Sequence, residues 1–168
     1  DHLDTAALYG FGKNEELLNK AIGHRRSEYF LASKCGLYRD ASGKREINGR
    51  PEVLTKTCED SLRRLGTDCI DLYYLHRIDL NVPVEESLGA LMEMKDQGTL
   101  RFIGLSEPSP ETLLKALGIC PIAAVRSDLW FWTRPPNVAV SEDCTENHVA
   151  FAYYSPLGRG FLGGAVRD

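Results

Sequence analysis

The sequence predicts an α/β fold in which short, buried, parallel strands alternate with amphipathic helices. Apolar runs with the length of buried strands occur at five places, and a sixth, shorter run ends at Asp4. The five lie near residues 29–34, 69–75, 101–105, 122–126 and 149–154. The segments between them repeat apolar residues at helical spacing. Alternation of this kind indicates βαβ units and a parallel sheet.

The helical segments are bounded by residues that favour helix ends. Asn14 is expected to cap the first helix, and Pro51 and Pro83 suit the first turns of the next two. The helix signal is weaker over residues 137–147, which contain several poor helix formers. The loop of residues 38–50 is long and polar, and we expect it to be exposed at the rim of a site.

Composition excludes several classes of function. The chain has 168 residues, enough for a single domain over 1–168 with a sizeable core. A formal charge of −4 with scattered basic residues gives no nucleic-acid footprint, and no apolar stretch reaches the roughly 18 residues of a membrane span. The five cysteines form no C-x-x-C pair and show no metal-ligand spacing with the histidines. We therefore expect free thiols in the cytoplasm and no metal site.

Ionisable residues close three of the apolar runs. Asp4, Lys34 and His76 each stand at the end of a predicted strand. Because α/β barrels place their chemistry where parallel strands end, these side chains are expected to converge. Tyr9 follows Asp4 on the loop that leaves the first strand, so it can turn back over the same mouth. The sequence therefore predicts a proton-transfer site formed by these four residues.

Each of the four residues also has a purely structural interpretation. Asp4 with Thr5 could form a turn or a helix cap, Tyr9 could be a core tyrosine, and His76 could be a satisfied interior histidine. Lys34 is harder to explain in this way, because an unpaired lysine at the end of a buried strand is costly.

Seven segments, in this order along the chain, resemble the aldo-keto reductase superfamily. They are Asp4-Thr5-Ala6-Ala7-Leu8-Tyr9-Gly10, Ser33-Lys34, Asp71-Leu72-Tyr73-Tyr74-Leu75-His76, Gly104-Leu105-Ser106-Glu107, Pro121-Ile122-Ala123-Ala124-Val125, Trp132-Thr133-Arg134 and Tyr154-Ser155-Pro156-Leu157-Gly158-Arg159-Gly160-Phe161-Leu162. The resemblance implies a (β/α)8 TIM barrel, which needs eight strands and roughly 250 residues. About six βα units are present, corresponding to the second through seventh barrel strands. We therefore expect an incomplete barrel, truncated at both ends.

The resemblance implies NAD(P)H-dependent reduction of aldehydes or ketones to alcohols, with the four residues above as the catalytic set. The nicotinamide would supply the hydride and Tyr9 the proton. A phenol ordinarily titrates near pH 10, and a neighbouring ammonium stabilises its phenolate, the role assigned to Lys34. Asp4 would keep Lys34 charged and oriented, and His76 would polarise the carbonyl oxygen. Family habit favours NADPH, with NADH possible, and the expected partner is a small carbonyl substrate.

The same resemblance assigns residues to the cofactor. They are Ser106, Glu107, Arg126, Tyr154, Ser155, Leu157, Gly158 and Gly160. Tyr154 would stack on the nicotinamide, and backbone N–H groups of the loop after it (Ser155, Leu157 and Gly158) would face the pyrophosphate. Trp130 and Trp132 could line a substrate pocket or pack against the strand that the incomplete barrel lacks.

Two cofactor positions depart from the family pattern. Glu107 stands where many members have asparagine, although some branches share the glutamate. Arg126 stands where the family usually has glutamine, and arginine can only donate hydrogen bonds. Arg126 could reach the carboxamide oxygen, pair with Glu107, or form a structural ion pair at the barrel rim.

Other interpretations of the whole chain remain open. A non-catalytic cofactor-binding or regulatory module is one, and an inactive fragment is another. The run Gly158–Gly163 also matches G-x-G-x-x-G, which would suggest a small Rossmann-like protein but would leave Asp4, Lys34 and His76 unexplained.

Overall fold

A computed structural model describes residues 1–39, 42–128, 137–158 and 160–164. The strands are β1 His2–Asp4, β2 Phe30–Cys35, β3 Leu37–Arg39, β4 Arg45–Ile47, β5 Ile70–Leu75, β6 Leu100–Ser106, β7 Ile122–Asp128 and β8 Ala150–Tyr154. The α-helices are α1 Lys13–Ile22, α2 Pro51–Leu65, α3 Val84–Asp96, α4 Pro110–Leu117 and α5 Asn137–Glu146. Short 3₁₀ helices span Tyr9–Gly12, Gly23–Glu28 and Phe161–Gly163.

The principal sheet contains six parallel strands in the order β1-β2-β5-β6-β7-β8. Its strands follow one another in chain order, and the sheet curls so that the ends of β1 and β7 touch. This is the arrangement of an incomplete (β/α)8 barrel, as predicted. A doubly wound Rossmann sheet reverses its strand order at a switch point, and no such reversal occurs among these six strands.

The core lies on both faces of the curled sheet. On the outer face, the helices pack against the strands through a large apolar cluster that includes Leu54, Leu88 and Leu113. A second, smaller cluster is formed by Ala32, Leu72, Tyr74 and Ala124. Strand β5 is buried along its whole length, as expected for a central strand of a parallel sheet.

Three local features differ from the sequence predictions. Residues 38–50 do not form a plain loop, because β3 and β4 pair as an antiparallel hairpin. Helix α1 begins one residue before Asn14, with Gly12 at the cap position, and the Asn14 side chain instead accepts a hydrogen bond from the Thr5 hydroxyl at 2.6 Å. Helix α5 forms despite its weak helix signal.

The described residues also bear on membranes, metals and thiols. None of the described helices is long and apolar enough to cross a membrane. The described part of the chain contains no group of three or more His, Cys, Asp or Glu residues that could hold a metal ion. The five cysteines, all within the described ranges, are free thiols.

Candidate functional site

The site lies at the carboxyl edge of the six-stranded sheet. Every principal strand delivers a candidate residue to this edge, at its last residues or directly after them. They are Asp4 from β1, Lys34 from β2, His76 after β5, Ser106 from β6, Arg126 from β7 and Tyr154 from β8. Parallel pairing offsets the candidate residues of neighbouring strands by no more than about two residues, which is why residues far apart in sequence reach the same edge.

Lys34 forms the buried centre of the site. Its side chain is 0% exposed, and its ammonium group donates to the Asp4 carboxylate and to the Thr5 carbonyl oxygen. Burial lowers the pKa of Lys34 to about 8, against the opposing effect of Asp4, which raises it. The lysine is therefore mostly charged at neutral pH.

Tyr9 covers the ammonium group of Lys34. The 3₁₀ turn after β1 carries the ring back over the strand ends, so that the Lys34 Nζ atom lies 4.9 Å from the ring centroid. The ring meets that of His76 edge to face, with centroids 5.9 Å apart. Because the tyrosine is 36% exposed, a small molecule can reach it from solvent.

His76 is a neutral base at this edge. Burial, followed by the charge of Lys34, lowers its pKa to about 3. Its Nδ1 atom is buried and has no hydrogen-bond partner among the described residues. A neutral imidazole keeps one N–H donor and one acceptor nitrogen, so the ring retains hydrogen-bonding capacity.

Arg126 joins this group through Asp4. Its guanidinium donates to Asp4 Oδ2 at 2.7 Å and lies over the Tyr154 ring, 4.8 Å from the centroid. Its ion-pair partner is thus Asp4, whereas the sequence had suggested Glu107 among the alternatives. The rim ion pair that the sequence also suggested is present, with Asp4 as the acid.

Glu107 instead fixes Tyr154. One carboxylate oxygen accepts from the Tyr154 hydroxyl and from the Asp128 backbone N–H, both at 2.6 Å, and the other accepts from Ser127 Oγ at 3.2 Å. Burial and the Glu107 carboxylate raise the pKa of Tyr154 to about 12. The aromatic ring at the end of β8 is therefore a neutral, firmly held surface.

The glycine-containing loop after β8 is a compact turn. Ser155 adopts a left-handed φ of 56°, and Gly158 N–H donates to its carbonyl oxygen at 3.0 Å. Gly160 N–H donates to the Leu157 carbonyl oxygen at 3.2 Å. The amide of Gly158, predicted to face a phosphate, is in this arrangement engaged within the turn. Trp130 and Trp132, the predicted substrate-pocket residues, lie outside the described residues.

Two residues at the site were not predicted. Arg77 donates to the His76 carbonyl oxygen at 2.7 Å and to the Ser106 hydroxyl at 3.2 Å, so it links the ends of β5 and β6. Thr5 supplies the carbonyl oxygen that binds Lys34. Each directly follows a candidate residue, Arg77 after His76 and Thr5 after Asp4. That adjacency is the feature of the sequence that could have identified them.

The fold is that of an incomplete TIM barrel, and its candidate site lies at the carboxyl ends of the strands. The chain matches the sequence profile of the aldo/keto reductase family over residues 1–168, and it belongs to that family.

Its curated relatives carry the same family name. The chain is 40% identical over 171 residues to a protein of Schizosaccharomyces pombe named aldo-keto reductase yakc (NADP(+)), covering 98% of this chain and 50% of the relative. It is 41% identical over 162 residues to probable aldo-keto reductase 1 of Glycine max, covering 96% and 47%. The chain thus spans about half the length of the relatives it matches.

Solved structures agree with the fold. The holo form of aldo-keto reductase AKR11C1 from Bacillus halodurans superposes with a TM-score of 0.87 at 31% identity, over 99% of this chain and 56% of that one. Glycerol dehydrogenase AKR11B4 from Gluconobacter oxydans gives a TM-score of 0.89 at 30% identity, over 99% and 52%.

Proposed function

We propose that the protein to which this chain belongs reduces aldehydes or ketones to alcohols with NADPH or NADH, and that Tyr9 donates the proton. The observation that carries the proposal is the buried Lys34 ammonium, bound to Asp4 and lying 4.9 Å from the Tyr9 ring. An ammonium this close to a phenol stabilises the phenolate that remains after proton donation, and Tyr9 is exposed enough for a substrate to reach it.

The cofactor side of the site is compatible with a nicotinamide dinucleotide. The support is the partly buried Tyr154 ring, held by Glu107 at the strand edge, followed by a turn with left-handed residues at Ser155 and Gly158. A relative named for NADP(+) and a related structure in its holo form add to it. We assign binding to the residues predicted above: Ser106, Glu107, Arg126, Tyr154, Ser155, Leu157, Gly158 and Gly160. When bound, the nicotinamide supplies the hydride.

Proton transfer is the part of the reaction assigned to this chain. Tyr9 gives its hydroxyl proton to the substrate oxygen as negative charge develops there. The Lys34 ammonium stabilises the phenolate that remains, and Asp4 holds the ammonium in place. His76, neutral because of its burial, donates an N–H to the same oxygen and so polarises the carbonyl.

The test is Tyr9→Phe in the full-length protein. This change removes only the hydroxyl, so kcat should fall by roughly 10²–10⁴-fold, the usual contribution of a general acid. The dissociation constant for NADPH, measured by fluorescence titration, should change little. Tyr29→Phe is the matched control, because Tyr29 directly precedes β2, at the end of the strand away from Lys34. The turnover of this variant should equal that of the wild type.

Two results would contradict the proposal. Unchanged turnover of Tyr9→Phe would remove Tyr9 as proton donor. Wild-type protein that binds NADPH but oxidises it with none of a panel of aldehydes and ketones would indicate the cofactor-binding or regulatory module instead.

A further inference from the structure

The Asp4 carboxylate is shared between two cations. Oδ1 accepts from the Lys34 ammonium, and Oδ2 accepts from the Arg126 guanidinium at 2.7 Å. Lys34 comes from β2 and Arg126 from β7, and two strands lie between these in the sheet. The two cations therefore meet across the mouth of the curled sheet rather than along it.

Arg126 is held rigidly in this position. Its side chain is 11% exposed, and its guanidinium lies over the ring of Tyr154 at 4.8 Å and that of Tyr74 at 6.0 Å. Glu107 in turn fixes Tyr154. Because a guanidinium keeps its charge at any pH at which the protein is folded, Arg126 contributes a constant positive charge beside Lys34.

We propose that Arg126 is a positioning residue of the reductase site. It binds one oxygen of the Asp4 carboxylate, and so it competes with Lys34 for the negative charge of that group. The proposal rests on the reductase function above, where Lys34 must be protonated to stabilise the Tyr9 phenolate. Arg126 then sets the upper limit of the pH range over which the site is active.

Several other groups face Lys34, and they divide into those that change charge with pH and those that do not. Among the described residues, these groups are Asp4 on β1, Tyr9 in the 3₁₀ turn, Glu15 on α1, Tyr74 beside Lys34 on the paired strand β5, His76 after β5 and Arg126 on β7. His76 is neutral above pH 4, and burial raises the pKa of Tyr74 to about 12. Within this set, Arg126 is the cation that opposes the carboxylates of Asp4 and Glu15. The direction of the pKa shift of Lys34, to about 8, agrees with this arrangement of charges. Burial is the largest cause and lowers the pKa, Asp4 raises it, and Arg126 lowers it.

The first test is the pH profile of kcat in the full-length protein. Arg126→Gln removes the positive charge and keeps a planar, polar group, so Lys34 should hold its proton more firmly. We expect the alkaline limb to move up by roughly one pH unit, the usual effect of a single nearby charge. Arg126→Lys keeps the charge but loses the planar stacking, and its limb should stay near that of the wild type. The proposal would be overturned if the alkaline limb of the kcat profile did not move in Arg126→Gln, or if it moved equally in both variants.

A second test does not depend on turnover. The pKa of folded Lys34, about 8, lies below its ordinary value of 10.5, so the unfolded chain binds more protons in that window and stability rises with pH. In Arg126→Gln, the free energy of unfolding, measured with urea, should rise less steeply between pH 8 and 10. In a Lys34→Met background, the same substitution should change stability equally at every pH.

The two tests separate the two proposals. Equal pH slopes for wild type and Arg126→Gln would overturn the role of Arg126 whatever the turnover. Different slopes in a protein that reduces no carbonyl compound would support the coupling of Arg126 to Lys34 and contradict the reductase function alone.

Discussion

At the residue scale, burial lowers the pKa of two basic side chains but leaves one of them charged and the other neutral at pH 7. Both Lys34 and His76 are buried at neighbouring strand ends, and in each case burial is the largest cause of a lowered pKa. Lys34 has the Asp4 carboxylate as a direct partner and stays charged at neutral pH. His76 faces the cation of Lys34 and becomes neutral. One site therefore holds a fixed cation and a neutral hydrogen-bond donor side by side.

The neutral state of His76 predicts a loss of stability in acid. Its folded pKa of about 3 lies below the ordinary value of 6.5, so the unfolded chain binds more protons between these values. Stability should therefore fall as the pH drops from 6.5 towards 3, by at most about 1.4 kcal/mol per pH unit from this group. In His76→Gln that contribution is absent, and urea unfolding at pH 4.5, 5.5 and 7 should show a shallower decline.

His24→Gln is the control, since His24 is exposed. Its decline in acid should match that of the wild type. If His76→Gln and the wild type lose stability in parallel, then His76 is not the buried neutral group described here.

The catalytic candidates could be predicted from the sequence because strand ends determine where they lie. Asp4, Lys34 and His76 each close an apolar run, and parallel strands end at one edge. The partner of Arg126 could not be predicted in the same way. It pairs with a residue 122 positions away, and the curl of the sheet decides which strand ends face each other across the mouth.

At the element scale, helix α1 is anchored to its neighbours by a buried acid. The Glu15 carboxylate is 0% exposed and accepts from Ser33 Oγ at 2.6 Å and from Arg64 Nε at 2.7 Å. These contacts join α1 to β2 and α2. The Arg64 side chain also lies directly against Gly12, where an added Cβ would come within 2.6 Å of it. The network thus fixes the turn that carries Tyr9 beside the strand that carries Lys34.

Removing the charge of Glu15 should destabilise the fold. Glu15→Gln breaks a buried ion pair by changing one partner, which costs about 3 kcal/mol when the other partner is partly exposed, as Arg64 is. Urea unfolding at pH 7 measures the change. Glu16→Gln, on the exposed side of the same helix, should stay within about 0.5 kcal/mol of the wild type. Equal effects of the two substitutions would show that the network adds nothing to stability.

Two elements escaped sequence prediction for physical reasons. Strands β3 and β4 have three residues each, too few to show an alternating pattern. Asn14 has a side chain suited to a helix cap, but the helix begins one residue earlier. The Asn14 side chain instead accepts a hydrogen bond from the Thr5 hydroxyl. The hairpin is a local pairing too short for its pattern to be seen, whereas the use of Asn14 was decided by a contact with a residue outside the helix.

At the scale of the whole molecule, the carboxyl and amino ends of the parallel strands carry different groups of residues. The carboxyl end carries the candidate site. The amino end carries a structural cluster around Asp71 on β5. Its carboxylate accepts from Arg26 at 2.7 Å and from the Leu31 backbone N–H at 2.8 Å, and it forms an ion pair with Arg101 at 3.0 Å. A cleft of about 650 Å³ lies beside this cluster. One buried carboxylate therefore joins β2, β5 and β6, and the segment after α1, at the end of the sheet away from the candidate site.

This division predicts that stability and binding can be changed separately. Asp71→Asn leaves two arginines without their acid and should lower the free energy of unfolding by about 3 kcal/mol. Below the unfolding transition, the dissociation constant for NADPH and the kcat of the full-length protein should stay within about twofold of the wild type. Asp68→Asn, an exposed acid close by, should change neither quantity. A large loss of turnover in folded Asp71→Asn would mean that the amino end of the sheet is coupled to the site, because β5 connects Asp71 directly to His76 and could transmit a shift along the strand.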